Sequence, residues 1–221
     1  MIDIESYINQ LIELLKKQFS SRLLYVGLQG SYLRGEANQN SDIDIMVIID
    51  DLSVSDLASF RQVINTMDYS DKSCGFICSK KDLLHWNPLE ICSLLHTTKD
   101  NFGLLREFTP EYTRTDILNY IKMSVNNLYH ELCHRYIHSE PDKNYASLPL
   151  AYKSVFFILQ NLYFLRANEF VGTKADLLKR LQGKDYEVLK RSVELVHNTA
   201  YDFEESFELL FSWCQETLHS I

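Results

Sequence analysis

Apolar residues recur at helical spacing in the first segment of the chain. The members of this pattern are Ile4, Tyr7, Ile8, Leu11, Leu14, Leu15 and Phe19. Their spacing of three and four residues puts them on one face of an α-helix, which turns once in about 3.6 residues. The pattern predicts a first helix over roughly residues 3–19.

Short apolar runs with the composition of buried β-strands come next. Leu23–Gly30 and Asp42–Asp50 are rich in aliphatic and β-branched residues, and polar turn formers separate them. Val54–Met67 has helical spacing behind a serine-containing capping pattern, and Cys74–Cys78 is a third apolar run of strand length. The predicted order is helix, strand, loop, strand, helix, strand, which indicates a small domain built on a mixed sheet.

Beyond the third strand the pattern becomes helical. A first stretch runs from about Lys81 to Thr98 and is interrupted near Pro88, because proline disrupts the interior of a helix. After a break at Phe108–Pro110, three long periodic segments follow, at about residues 114–138, 147–169 and 185–218. The sequence therefore predicts an α+β protein, with a mixed-sheet domain over residues 1–109 and an α-helical bundle over residues 110–221.

The composition narrows the classes of protein to consider. A formal net charge of -8 argues against binding of long nucleic acid, whose phosphates attract basic surfaces. The chain has no run of about 18 apolar residues and begins with a charged amphipathic segment, which predicts a soluble cytoplasmic protein without a membrane partner. The 5 cysteines include no CxxC pair, so we expect reduced thiols.

The loop between the first two predicted strands is the most informative stretch for chemistry. Alternate residues of a strand face the same way, so Asp42 and Asp44 are expected to project together. Two carboxylates so close repel each other unless a cation lies between them, and hard oxygen ligands select Mg²⁺ or Mn²⁺. The spacing predicts a metal site that receives a nucleoside triphosphate.

Small residues precede this acidic pair. Gly30 and Ser31 follow the first strand, where the backbone N–H groups of a short helix can approach phosphate oxygens closely. Arg34 and Ser41 add a positive charge and a hydroxyl, which makes all four residues candidates for nucleotide binding. Acidic residues on a solvated strand face and Gly-Ser turns are each common alone, but here they occur together in the expected strand and helix context.

The stretch GSYLRGEANQNSDIDI resembles the minimal nucleotidyltransferases of the polymerase-β-like superfamily, and the helical half resembles the bundle of kanamycin and lincosamide nucleotidyltransferases. The resemblance implies an ATP-binding transferase. Such an enzyme moves a nucleoside monophosphate from a triphosphate to a hydroxyl of a small molecule, with a pair of magnesium ions on Asp42 and Asp44. An aminoglycoside or lincosamide acceptor, held between the domains, would imply a role in antibiotic resistance. The acceptor, the nucleotide base and a homodimeric state stay open.

Relatives of this kind usually carry a third carboxylate on the strand after the intervening helix. The resemblance places Cys74 there, and Asp71 is expected on the opposite face of a regular strand. It also implies a general base from the helical half, for which Glu131 is the candidate. The alternatives are a protein-modifying, antitoxin-like nucleotidyltransferase and a catalytically impaired nucleotide-binding or interaction protein.

A second motif lies in the helical half. The stretch from His130 to His134 spells HELCH, which matches the HExxH zinc-peptidase pattern of two histidines one helical turn apart. No marked third ligand follows downstream, so we expect ordinary histidines on the helix surface or at an interface.

Overall fold

The structure is a computed structural model, and it describes residues 2–197 and 200–221. It forms two compact units, Met1–Tyr112 and Thr113–Ile221. The first carries a four-stranded mixed sheet and the second is built from helices, which confirms the predicted α+β fold class. The assignment of residues 1–109 and 110–221 as separate domains stays a prediction, because compactness alone does not test independent folding.

Helix α1 of the first unit spans Ile4–Phe19, as its apolar spacing predicts. It begins after Asp3, whose side chain accepts the backbone N–H of Ser6 at 3.1 Å and satisfies one of the free donors of the first turn. Its apolar face is buried in one core cluster with the alternate residues of the first two strands, so the helix covers one face of the sheet.

In chain order the strands of the sheet are β1 (Leu23–Leu28), β2 (Ile43–Ile49), β3 (Ser73–Ser79) and β4 (Lys99–Phe102). Across the sheet their order is β3-β2-β1-β4. Strand β1 is antiparallel to β2 and β4, whereas β2 is parallel to β3. Strand β4 was not predicted, because its four residues, KDNF, are mostly polar and lack the signature of a buried strand.

The connections bring three points of the chain to one edge of the sheet. Helix α2 (Gly30–Arg34) leaves the end of β1, and Leu28 in β1 pairs with Ile45 near the start of β2. Helix α3 (Val54–Asn65) crosses over to β3, so that the parallel strands β2 and β3 start side by side. The end of β1 and the beginnings of β2 and β3 therefore meet.

Two short helices follow β3. Helix α4 spans Lys80–Leu84 and helix α5 spans Pro88–His96, so the interruption predicted near Pro88 is confirmed. Proline stands at the beginning of α5, where its missing N–H leaves no hydrogen bond unmade.

The second unit contains five helices in the part of the chain that the structure describes: α6 (Arg114–His138), α7 (Pro141–Ala167), α8 (Lys174–Leu178), α9 (Gly183–His197) and α10 (Phe203–Ser220). The first predicted segment coincides with α6. Helix α7 begins at Pro141 rather than at residue 147, because proline and polar residues are tolerated in a first turn.

The prediction of a single third periodic segment in the bundle was wrong. Residues 185–218 form two helices, α9 and α10, rather than one periodic stretch. Asp202 begins α10 by accepting the backbone N–H of Glu205 at 2.9 Å, and apolar periodicity on both sides hid this start. Residues 198–199, which the prediction also covers, lie outside the described residues.

Helix α7 is the central helix of the bundle. Its buried residues include Tyr152, Val155, Phe156, Leu159 and Leu162, so this aromatic and apolar stripe is part of the core of the second unit. Among the described residues it is the one helix long and apolar enough to span a membrane, yet 56% of its most apolar window is buried inside the protein. That burial is typical of a helix in the core of a bundle.

Candidate active site

The two carboxylates of the candidate site lie at the start of β2. Asp44 is the second residue of the strand and is half-buried, and Asp42 directly precedes the strand and is exposed. Ile43 and Ile45, which alternate with them, are buried in the core at 0% and 2% exposure. The alternation places both carboxylates on the opposite face of the sheet from the core cluster that contains Ile43 and Ile45.

Gly30 lies directly against the carboxylate of Asp44. A Cβ atom at Gly30 would stand 1.8 Å from Oδ2 of Asp44, and the glycine has a φ of +68°, which side chains rarely adopt. The backbone N–H of Gln29 also donates to the carbonyl of Asp44 at 2.8 Å. The structure thus brings together the Gly-Ser and the Asp-x-Asp stretches. Their contacting residues, Gly30 and Asp44, are 14 positions apart along the chain.

Ser31 and Arg34 lie on the short helix α2. Ser31 is half-buried in its first turn, and Gly35 ends the helix in the left-handed conformation with a φ of +69°. Arg34 donates from Nε to a carboxylate oxygen of Glu36 at 2.8 Å. Its positive charge also acts on Asp44, where it opposes the rise in pKa of that carboxyl.

Ser41 is part of the loop that precedes the acidic pair. Its Oγ accepts the backbone N–H of Asn38 at 2.9 Å, and its own N–H donates to the carbonyl of Asn38 at 3.1 Å. The predicted nucleotide contact of Ser41 remains a prediction, and the structure adds a role in shaping the loop next to Asp42.

Cys74 lies beside Asp44 on the neighbouring strand. The two residues are register partners in the parallel pair β2 and β3, and the Cys74 thiol donates a hydrogen bond to the Asp44 carboxylate. Cys74 is exposed, so it is not a core thiol. Partial desolvation and the charge of Asp44 raise the pKa of the thiol, which keeps it in the protonated, donating form.

Asp71 does not reach this position through the strand. It lies in the turn Ser70–Lys72, before β3 begins, and is exposed. The residue opposite Asp44 is therefore a thiol, where the related enzymes are expected to carry a carboxylate.

Burial raises the pKa of Asp44, and repulsion from Asp42 adds to the rise. The hydrogen bond from Cys74 and the charge of Arg34 act in the opposite direction. The net rise means that the ionised form of Asp44 is held at a free-energy cost. A divalent cation beside the two carboxylates would remove that cost, and carboxylate oxygens are the ligands that Mg²⁺ and Mn²⁺ prefer.

Lys99 belongs to the same edge of the sheet and was missed from the sequence. It pairs with Leu28 at the end of β1, two residues before Gly30, and it is exposed. Because β4 is short and polar, no sequence pattern indicated this pairing. Gln29 is fixed nearby, since its Nε2 donates to Oγ1 of Thr98 at 2.8 Å.

The remaining candidates lie on α6 in the second unit. Glu131 forms an ion pair with Nε of Arg135 at 2.8 Å. The rings of His130 and His134 are 6.1 Å apart between centroids, and those of His134 and His138 are 4.9 Å apart. Over residues 2–197 and 200–221, no group of three or more His, Cys, Asp and Glu side chains is arranged to hold a metal ion.

Comparison with known families decides the class of the first unit. Residues 8–81 match the family model of the nucleotidyltransferase domain. This chain carries a nucleotidyltransferase domain. The matched stretch runs from α1 into α4 and includes Gly30, Asp42, Asp44 and Cys74. The match confirms the resemblance to polymerase-β-like nucleotidyltransferases and the assignment to the transferase enzymes.

Solved structures with a similar fold extend the likeness beyond the nucleotidyltransferase domain. A spectinomycin adenyltransferase AAD(9) from Enterococcus faecialis, solved with ATP and spectinomycin, is 14% identical. The match covers 97% of this chain and 99% of that chain, with a TM-score of 0.62. At this identity the likeness shows a shared fold that includes the helical unit.

Two further structures match less well. A toxin-antitoxin with AMP-PNP is 22% identical, with a TM-score of 0.34, over 58% of this chain and 92% of that chain. A nucleotidyltransferase-like protein from Exiguobacterium sibiricum is 13% identical, with a TM-score of 0.39, over 96% and 75% of the respective chains. No curated protein sequence matches this chain with significance. Neither of these weaker structural matches supports an argument about function.

Proposed function

We propose that this protein transfers a nucleoside monophosphate from a nucleoside triphosphate to a hydroxyl group, with magnesium ions held by Asp42 and Asp44. The observation that carries the proposal is the contact between Gly30 and the carboxylate of Asp44. It joins a phosphate-binding turn to an acidic pair, inside a stretch that matches the nucleotidyltransferase domain. A triphosphate bound at Gly30 and Ser31 would then lie against the metal ligands.

The acidic pair supplies the metal ligands in this proposal. Asp44 is half-buried and repelled by Asp42, so both carboxylates favour a bound cation over their free state. Magnesium bound there would neutralise charge on the phosphates and polarise the α-phosphate for attack. Two carboxylates leave coordination positions for phosphate oxygens and water, as is usual for Mg²⁺ in phosphoryl-transfer sites.

The residues around Gly30 are proposed to hold the triphosphate and the leaving pyrophosphate. Without a Cβ atom, Gly30 lets phosphate oxygens approach the backbone N–H groups at the start of α2. Arg34 supplies positive charge against the negative charge that builds up on the leaving group. Ser41 contributes by holding the loop that leads into Asp42.

The proposed acceptor is a hydroxyl of a small cationic molecule such as an aminoglycoside or a lincosamide. The shared fold with a spectinomycin adenyltransferase, which includes the helical unit, supports this choice, and the net charge of -8 suits a cationic acceptor. Glu131, which forms an ion pair with Arg135, is the proposed general base. ATP is the proposed donor.

A second candidate function is nucleotide binding with little or no turnover. The observation that favours it is Cys74, a protonated thiol at the position beside Asp44. A thiol that donates to Asp44 cannot accept the proton of an acceptor hydroxyl, nor is it a hard ligand for magnesium.

Incubation with nucleoside triphosphates labelled at the α-phosphate tests both candidates. The reactions contain magnesium and either aminoglycosides, lincosamides or co-purified proteins. The proposal predicts a labelled acceptor and free pyrophosphate, both lost in Asp42→Asn and Asp44→Asn. Magnesium-dependent nucleotide binding without either product would establish the second candidate, and label on a co-purified protein would identify a protein-modifying enzyme. Absence of both binding and transfer would contradict the whole assignment.

A further inference from the structure

The second unit contains a pocket that the proposed chemistry does not use. It is a cavity of about 420 Å³ formed by the last turn of α6, the first turns of α7 and α10, and the turn between α6 and α7. Its wall includes the rings of Tyr136, Tyr145 and Phe203 and the carboxylates of Asp142 and Glu204. A volume of this order is within the range of small-molecule binding sites.

The three aromatic rings of the pocket adjoin one another. The ring centroid of Phe203 is 6.4 Å from that of Tyr136, with the planes nearly parallel at 14°, and 6.3 Å from that of Tyr145. Tyr136 remains 49% exposed although its ring is large and apolar. Faces of aromatic rings carry partial negative charge, so rings grouped around a cavity attract a cation.

Hydrogen bonds and stacking fix these rings before any ligand arrives. The hydroxyl of Tyr145 accepts the backbone N–H of Tyr201 at 3.0 Å, and the two rings stack with centroids 4.4 Å apart. The hydroxyl of Tyr136 donates to a carboxylate oxygen of Glu204 at 3.4 Å. A pocket with fixed walls loses little side-chain freedom when it binds a ligand.

The charge of the pocket is negative. Within the described residues, no lysine, arginine or histidine forms an ion pair with Asp142 or Glu204. Both stand in the first turns of their helices, where acidic residues also stabilise the helix dipole. That role accounts for two carboxylates but not for three aromatic rings grouped around the same cavity.

We propose that this pocket binds a small organic cation through an ammonium group, whose charge faces the rings of Tyr136, Tyr145 and Phe203. Asp142 and Glu204 add longer-range attraction. An organic ammonium group suits this wall better than a metal ion, because its alkyl groups contact the rings and its charge is less strongly hydrated than that of a metal ion. The proposal is independent of the transfer reaction and holds for a nucleotidyltransferase or for a protein that only binds nucleotide.

Calorimetric titration of the whole protein with choline tests the proposal. The neutral isostere 3,3-dimethyl-1-butanol has the same shape without the charge, and butylammonium represents primary amines. We expect saturable binding of choline or butylammonium, with the isostere at least about tenfold weaker. Phe203→Leu keeps an apolar side chain but removes the aromatic face, and should weaken binding about threefold to thirtyfold.

The matched control is Phe157→Leu, which removes an aromatic ring of α7 that is 42% exposed and lies outside the pocket. Binding should be unchanged in this variant. Glu204→Gln changes charge at an exposed position and should weaken binding of the cations but not of the isostere. Because Phe203 also stacks on Phe207, circular dichroism must show an intact fold in Phe203→Leu.

Three results would overturn the proposal. Equal binding of choline and its neutral isostere would show an apolar pocket without cation recognition. Absence of saturable binding of both choline and butylammonium would show that the pocket does not bind small organic cations. Equal weakening in Phe157→Leu and Phe203→Leu would place the binding elsewhere.

Discussion

The thiol of Cys74 donates a hydrogen bond to the carboxylate of Asp44 across the parallel strands β2 and β3. The strand register, rather than a flexible loop, holds this contact, so position 74 is fixed beside the acidic pair. A third metal ligand at this position would need only a change of side chain. Under the proposed function, a thiol at position 74 leaves the metal site with the two carboxylates of Asp42 and Asp44.

Cys74→Asp should place a third carboxylate beside Asp42 and Asp44. In the metal-free protein the added negative charge should lower the melting temperature, because like charges at one site repel. Magnesium should restore stability, bind more tightly than to the natural protein, and raise any transfer rate. Melting curves with and without magnesium and ATP measure this.

The control for this substitution is Cys74→Asn, which has the shape of aspartate without its charge. It should show neither the loss of stability without metal nor the gain with metal. If Cys74→Asp melts far lower and magnesium with nucleotide does not rescue it, position 74 does not face the metal site.

Gly30→Ala should abolish nucleotide binding, because the new methyl group would overlap the carboxylate of Asp44 at 1.8 Å and displace it. Gly35→Ala provides a matched comparison, since Gly35 has nearly the same φ, +69° against +68°, and no atom within 4 Å of the added Cβ. Both variants should lose about 1 kcal/mol of stability through backbone strain, and Gly30→Ala should lose more because of the overlap with Asp44. Equal nucleotide affinities in the two variants, measured by calorimetry, would show that the Gly30 contact has no part in binding.

Asp44→Asn should stabilise the metal-free protein while removing its response to magnesium. The pKa of Asp44 is raised by burial and by Asp42, so folding disfavours its ionised form, and the cost is fully present at neutral pH. The amide keeps the shape and can still accept the hydrogen bond from Cys74. Thermal melting in EDTA should show a higher midpoint for the variant, and a lower midpoint would mean that Asp44 supports the fold.

The sequence predicted the parts of the site whose signals are local. Asp42 and Asp44 alternate with buried isoleucines, and that pattern is visible without a structure. Strand β4 was missed, because its pairing with β1 is nonlocal and its four mostly polar residues carry no strand signal. The start of α10 was missed because apolar periodicity continues in the helices on both sides of Asp202.

Nonlocal pairing also explains what the sequence left open at Cys74. The resemblance placed Cys74 where a third carboxylate is expected, and only the register opposite Asp44 shows that it lies beside the acidic pair. The aromatic pocket of the second unit lies beyond local patterns as well. Phe203 and Tyr145 are 58 positions apart along the chain and meet only through the packing of α7 and α10.

Asp56 should make stability depend on pH in the acid range. Two hydrogen bonds from the guanidinium of Arg22, at 3.0 and 2.8 Å, and further bonds from Ser53 hold the pKa of Asp56 well below its usual range. Because the pKa is lowered on folding, this stabilisation is present above the unfolded pKa of about 3.9 and is lost as pH falls through the folded pKa.

Asp56→Asn should therefore be less stable than the natural protein at about pH 7, and the difference should shrink below about pH 4. Urea denaturation at a series of pH values measures the free energy of unfolding of both proteins. A difference that stays constant from neutral to acid pH would show that the ionised carboxylate contributes nothing beyond its shape.

The central claim is that Asp42 and Asp44 hold magnesium for a nucleoside triphosphate. The most direct test is whether nucleotide binding depends on a divalent cation. The measurement is a calorimetric titration with a non-hydrolysable ATP analogue, in magnesium and in excess EDTA, on the natural protein and on Asp44→Asn. We predict saturable binding only for the natural protein in magnesium, because the triphosphate and the two carboxylates repel each other without a cation. Equal affinity in magnesium and in EDTA, or unchanged magnesium-dependent binding by Asp44→Asn, would contradict the account.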